Sequence, residues 1–239
     1  FWPYNLELTL HHFRYGLEEA GVGNAYANSL QLALGTAFMG TPMAFEGAYL
    51  AEKTAARDSW VASLYKVFAM LPMGIPGMAL GLGAILVFNH SDNPLAGLYR
   101  TMPLLIAITV VHFFAASHVT ATAALRALDR EFEAISASLK VPQWLTFWRV
   151  TLPVCLPAIL EIFRYLFINA MTTVSAVVFL YAPETLPATV SIINLDEAGE
   201  MGPAAAMATL MVLTNLVFSA AHAALSQFVL RRDRAWRSR

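Results

Sequence analysis

Five stretches of this chain run for about twenty residues or more without Asp, Glu, Lys or Arg: residues 21–45, 67–91, 101–125, 165–183 and 201–230. A helix crossing a bilayer needs about 20 mostly apolar residues, because the hydrocarbon core is about 30 Å thick and each residue rises about 1.5 Å. The windows predict five spans, roughly residues 25–50, 63–88, 101–121, 157–181 and 204–228. The fourth window is the shortest, and its span is extended at its start across Glu161 and Arg164. Backbone amides in lipid must be satisfied within each segment, which makes the spans helices; a barrel would show shorter, alternating segments. Composition agrees, with 58% hydrophobic and 13% charged residues against about 25% charged in soluble domains. Disorder, a secreted disulfide scaffold and nucleic-acid binding are poor fits to such a chain, and the single Cys155 has no partner within it. The expected fold is all-α, a polytopic membrane protein embedded in a lipid bilayer.

The net charge of −1 hides an asymmetry. If the helices alternate in direction, Lys53, Arg57, Arg126, Arg130, Lys140, Arg149 and the tail residues Arg231, Arg232, Arg234, Arg237 and Arg239 share one side, eleven of the fifteen basic residues. The other side holds Arg14 and Arg100, and its segment 181–203 carries Glu184, Asp196, Glu197 and Glu200 with no base. The basic side is cytoplasmic by the positive-inside rule, and the C-terminus lies there. Five spans then place the N-terminus outside, with no signal-like segment to carry it across. An upstream membrane helix is expected, so that these 239 residues are part of a longer chain. The expected organisation is an interfacial entry segment over 1–24, with Trp2, Tyr4, Phe13 and Tyr15 at headgroup level, a transmembrane domain over 25–230, and a basic tail over 231–239.

The cytoplasmic segment 122–153 is too long for a simple connector. Leu125, Leu128, Phe132, Ile135 and Leu139 recur at helical spacing, which predicts a helix over 123–139. Val141-Pro142 interrupts it, because proline disfavours the helical conformation of the residue before it. A second short helix is expected over 144–150, ending near Leu152-Pro153. Together they form a helix–turn–helix knob facing the cytosol.

These residues carry a resemblance. Glu133 to Leu139 (EAISASL), then Val141-Pro142, then 146–153 (TFWRVTLP), resemble the EAA loop of ABC-transporter permeases of the binding-protein-dependent import type. The likeness extends to 48–54 (AYLAEKT), to Leu71-Pro72 and to Ile75-Pro76-Gly77. The family has glycine directly after the motif leucine; Lys140 stands there in this chain, so the turn is expected to be made through Val141-Pro142. The segments FEAISASLKVP, TFWRVTLPVCLPAI and NAMTTVSAVVFLY are most similar to permeases of the 2-aminoethylphosphonate branch, with ferric-iron permeases next and polyamine permeases a further alternative. The resemblance implies an importer of the bacterial inner membrane in which two permease halves enclose the path. A dimer of cytosolic ATPases grips the loops, and an external binding protein delivers the solute. This chain would be a truncated subunit or the second half of a longer permease. It also implies an ATPase-coupling set of Glu133, Ala134, Leu139, Lys140, Val141, Pro142, Trp144 and Phe147, with no cofactor and no covalent chemistry.

Charges within spans need a reason, since one at the bilayer centre costs at least about 2.5–3.5 kcal/mol. Glu46 is expected to reach Lys53 and the cytoplasmic interface. Glu161 and Arg164 are three apart on one helix and can pair; Arg164 is also a candidate contact for an anionic solute. Asn169, Thr172 and Thr173 are expected close to one face of that helix, with Ser175 beside them, as helix–helix glue or as lining of the translocation path. Pro72, Gly74, Pro76 and Gly77 predict a kink or unwound turn in the second span, serving either as a hinge or for close packing. The six histidines form no i, i+4 metal pair, and no phosphate-binding G-x-x-x-x-G-K-[ST] loop occurs. An ion-coupled secondary transporter is the alternative from another class; it would need protonatable groups at mid-membrane and gives no reason for the cytoplasmic knob. A membrane-embedded enzyme would need a convergent nucleophile or metal set, which the sequence lacks.

Overall fold

A computed structural model describes residues 10–16, 22–54, 59–129 and 131–237. Trp2, Tyr4, Arg57, Arg130 and Arg239, and the side chains of Arg231, Arg232, Arg234 and Arg237, lie outside that description. The elements are α1 (His11–Arg14), α2 (Val22–Lys53), α3 (Trp60–Met70), α4 (Gly77–Phe88), α5 (Met102–Ala127), α6 (Glu131–Ser138), α7 (Gln143–Thr146), α8 (Leu152–Met171), α9 (Ala188–Glu197) and α10 (Met201–Arg237). Among the described residues there is no strand.

The five expected spans correspond to α2, the α3–α4 pair, α5, the run Gln143–Met171 and α10. By length and hydropathy α5, Gln143–Met171 and Met201–Phe228 can each cross a membrane, and α3–α4 can do so as one broken span. The 32 residues of α2 are long enough as well, at about 1.5 Å per residue, but are less apolar. Position explains this. α2 is the central helix, packed against α5 and α8, so most of it meets protein rather than lipid. Ala33, Ala37, Ala44 and Ala48 are fully buried along it, together with Ser29 and Thr36. Small side chains let backbones approach closely, which is what drives helix association where lipid offers no hydrophobic gain. Gly40 marks one close crossing: a Cβ there would stand 2.7 Å from the Leu166 Cδ1 and 3.4 Å from Val110. Large apolar side chains such as Phe38, Met43, Leu86, Val212 and Val217 point outward instead, suited to lipid.

Four expectations change. The helix predicted over 123–139 is two helices: α5 ends at Ala127, Leu128 is extended (ψ 131°), and α6 starts at Glu131. The Asp129 carboxylate accepts the Glu131 amide at 3.1 Å, the kind of local bond that starts a new helix. The apolar stripe therefore splits, with Leu125 and Leu128 in the core while Phe132, Ile135 and Leu139 are exposed.

The second short helix does not stop at Pro153. It passes from α7 through a π-helical turn, Phe147–Thr151, directly into α8. Pro153 lacks the amide that would bond back into the preceding turn, and the wider π turn before it accommodates that gap within the continuous helix.

The fourth span ends at Met171, short of the expected residue 181. The Asn169 amide donates to the Tyr165 carbonyl (2.8 Å) and the Thr172 hydroxyl to that of Ile168 (3.1 Å). Side chains that bond the backbone this way weaken a helix near its end. The apolar residues beyond, Ala176, Val177 and Leu180, are buried in turns against Leu32, Leu105 and Val110.

The break in the second span is sharper than a kink, since Trp60–Gly74 and Gly77–Phe88 meet at 109°. A tight 3-10 turn, Leu71–Gly74, and Pro76 at the N-cap of α4 make it.

Candidate coupling site

Glu52 and Lys53 are neighbours at the C-terminal end of α2, and adjacent helix positions point about 100° apart. They therefore grip different elements. The Glu52 carboxylate is 7% exposed and meets Lys66 of α3 at 2.9 Å and Arg126 of α5 at 2.8 Å. The Arg126 hydrogen bond, supported by Lys66 and opposed by burial, holds the Glu52 carboxyl at about 2, well below the usual carboxylate range. The Lys53 ammonium, with a side chain 5% exposed, lies 3.1 Å from Glu133 in the first turn of α6. It also donates to the Leu128 carbonyl at 3.1 Å, at the break between α5 and α6. Glu46 is exposed and does not hold Lys53 as expected; Glu133 does. A cavity of about 580 Å³ opens between these groups, lined by Glu52, Lys53, Thr54, Leu125, Arg126, Leu128 and Glu133.

A second link runs through aromatic rings. Phe147, at the start of the π turn, packs in tilted ring contacts with Tyr49 at 4.7 Å and Phe45 at 6.2 Å, both buried on α2. Of the expected coupling residues, Glu133 and Phe147 thus face α2. Ala134, Leu139, Lys140, Pro142 and Trp144 are exposed on the knob, and Val141 is half-buried.

The turn is built on Lys140 itself, not on Val141-Pro142. Lys140 has φ +54°; its amide donates to the Ala137 carbonyl (3.1 Å) and the Val141 amide to that of Ser136 (2.9 Å). These are the two bonds of a Schellman C-cap, in which the left-handed position usually belongs to glycine. A lysine there costs about 1 kcal/mol.

The expected path residues fall in three places. The Arg164 Nε donates to the Glu161 Oε2 at 3.1 Å, and His222 of α10 lies 3.9 Å from the same oxygen. Asn169 and Thr172 bond their own helix, as described above, and the Thr173 carbonyl accepts the Thr189 hydroxyl of α9 at 2.7 Å. Ser175 packs with His112 of α5 on Gly77, at the break between α3 and α4. The approach is so close that a Cβ on Gly77 would collide with the Ser175 hydroxyl and stand 2.9 Å from the His112 ring. The structure brings Arg164 to Glu161 and Ser175 to the broken span, but does not gather the five residues into one cluster. Among the described residues, no group of three or more His, Cys, Asp or Glu could hold a metal ion.

At its other end α2 is tied to the segment before α9. The Asn28 amide donates to the carbonyls of Glu184 (2.8 Å) and Leu186 (3.1 Å), and the Ser29 hydroxyl accepts the Ala188 amide (2.8 Å). One central helix thus joins the knob at one end to the 184–188 segment at the other. The Glu52 triad was missed in the sequence, although Glu52-Lys53 sits inside the segment that carried the resemblance; an adjacent acid and base at a helix end is the signal that could have found it.

The family described as the inner membrane component of binding-protein-dependent transport systems matches residues 23–231, and the chain belongs to it. The ferric transport system permease protein FbpB of Actinobacillus pleuropneumoniae is 28% identical over 89% of this chain, which spans 30% of the length of that relative. A protein named as a 2-aminoethylphosphonate transport system permease, PhnV of Salmonella paratyphi A, is 24% identical over 67% of this chain and 58% of its own length. The crystal structure of a bacterial ABC transporter that imports the acidic polysaccharide alginate shares the fold, with a TM-score of 0.78 at 17% identity, covering 95% of this chain and 85% of that one. The chain is therefore a helical, multi-pass inner membrane component of the binding-protein-dependent transport type.

Proposed function

We propose that this chain forms half of the path of an ABC importer. Cytosolic ATPases grip the knob of α6 and α7, a second permease half completes the path, and an external binding protein delivers the solute. The carrying observation is the architecture of the knob. It presents Leu139 and Trp144 outward, 68% and 65% exposed, while Glu133 and Phe147 fasten it to α2. A knob exposed on one side and tied to the central helix on the other can pass a rigid-body movement into the membrane. ATP-driven closure then favours one of two states of the path, because it binds them unequally. A cytoplasmic position for this face and the C-terminus is supported by the basic residues of the knob and tail.

The solute proposed first is ferric iron, supported by the higher identity to the ferric permease. 2-Aminoethylphosphonate is the second reading, supported by the motif segments quoted above. Uptake into cells carrying the complete transport system, measured with labelled ferric iron, 2-aminoethylphosphonate and a polyamine side by side, is expected to show system-dependent uptake of iron and not of the other two. System-dependent uptake of the phosphonate without uptake of iron would reverse the order. A Trp144→Cys variant is expected to react with a membrane-impermeant maleimide in inside-out vesicles and not in intact spheroplasts. Reaction from the outside alone would overturn the orientation and the coupling role together.

A further inference from the structure

Between Ala134 and Trp148 the knob carries one charged residue, Lys140. Its surroundings are apolar and exposed: Ile135, Leu139, Trp144 and Trp148 all stand in solvent. Among the described residues Lys140 has no ion pair, and the nearby Glu133 is held by Lys53. The lysine is also fixed in place, because its backbone occupies the left-handed position of the C-cap and two backbone hydrogen bonds close the turn around it. A residue kept at a strained position on an exposed tip points to a use for its side chain. If the apolar ring of residues docks into a partner, water leaves the tip. An ammonium enclosed in a dry interface without a counter-charge would oppose the docking it sits in.

We propose that the cleft of the ATPase that receives this knob presents a carboxylate to Lys140. This pairing selects the cognate ATPase against those with a neutral or basic cleft. The proposal rests on the reading of the knob as the ATPase handle and adds a partner chemistry to it. Charge pairing of this kind fixes register and rejects wrong partners, since an unmatched buried charge is penalised more than a matched one is rewarded.

The test uses the permease purified with the ATPase subunit of its own transport system, with affinity measured over a range of salt concentrations. Lys140→Arg is expected to bind within about twofold of the native protein, and Lys140→Gln and Lys140→Gly about tenfold or more weakly, with a flatter salt dependence. Lys140→Glu is expected to bind more weakly still. The two variants together separate charge from backbone, because glutamine keeps a polar side chain and the left-handed strain while losing the charge, whereas glycine favours the turn and lacks the side chain altogether. Native-like affinity in both the glutamine and glycine variants would overturn the carboxylate pairing and leave the handle intact. If Leu139→Asp and Trp144→Asp also bind normally, or if no ATPase associates with the native protein, the handle reading fails and the pairing with it.

Discussion

Glu133→Lys is expected to lower ATP-driven uptake at least about tenfold while the protein still inserts into the membrane. The Lys53 ammonium is buried, and its partners are the Glu133 carboxylate and the Leu128 carbonyl. Reversing Glu133 puts two cations about 3 Å apart at a partly enclosed site, and α6 must swing away from α2 to separate them. The knob then remains joined to the central helix mainly through Phe147 on Tyr49. Its movement would no longer be transmitted with the same geometry. Lys53→Glu is expected to fail in the same way, and the double exchange Lys53→Glu with Glu133→Lys to restore most of the uptake. That restoration is the decisive part of the measurement. Two independent defects would add, whereas two halves of one contact compensate. Uptake in vesicles and ATPase activity should be read together: hydrolysis that continues in the single variants without uptake marks a broken link rather than a lost partner. Normal uptake in either single variant would remove the Lys53–Glu133 contact from the coupling path.

Charge-free windows and basic-residue asymmetry made the membrane class and the helical architecture legible, because lipid excludes charge whatever the detailed fold. The same windows blurred the ends of elements. Ala176, Val177 and Leu180 are as apolar as any spanning residue, yet they fill the core from turns, and hydropathy alone cannot tell a spanning helix from a buried loop. The split at Asp129 was hidden by the continuing leucine period, although an aspartate just before Glu131 is a helix-start signal in its own right. Lys140 shows a different kind of failure. A residue type that usually avoids positive φ led to the expectation of an altered turn, and the backbone kept the usual turn at a cost in energy. Glu52-Lys53 marked the place but not the partners, since the Glu52–Arg126 and Lys53–Glu133 pairs each span more than sixty residues of sequence and every pairing depends on which way two helices face. Glu46 was the nearer acid in sequence and the wrong partner for that reason.

Replacing both cations of the Glu52 triad, Lys66→Met with Arg126→Met, is expected to destabilise the protein by about 3–5 kcal/mol, because it strands a buried carboxylate without a counter-charge. Glu52→Gln alone is expected to cost less, about 1–2 kcal/mol, because the two cations it releases are partly exposed and can hydrate. The triple variant should recover most of what the double variant loses, and thermal unfolding in lipid nanodiscs at fixed pH measures all three. The acid dependence follows from the direction of the shift. In the native protein the carboxyl stands near 2 against an ordinary value of 4.5, so its contribution is complete above about pH 4.5 and fades only as the pH falls toward 2. In the double variant burial acts unopposed and raises the carboxyl, so the destabilisation should shrink on acidification as the group takes up a proton. A double variant no less stable than Glu52→Gln would show that the carboxylate is hydrated rather than buried. The outcome bears on coupling as well as stability. Glu52 locks the end of α2 to α3 and α5, and Lys53 can draw on that end through Glu133 only if the end itself is held.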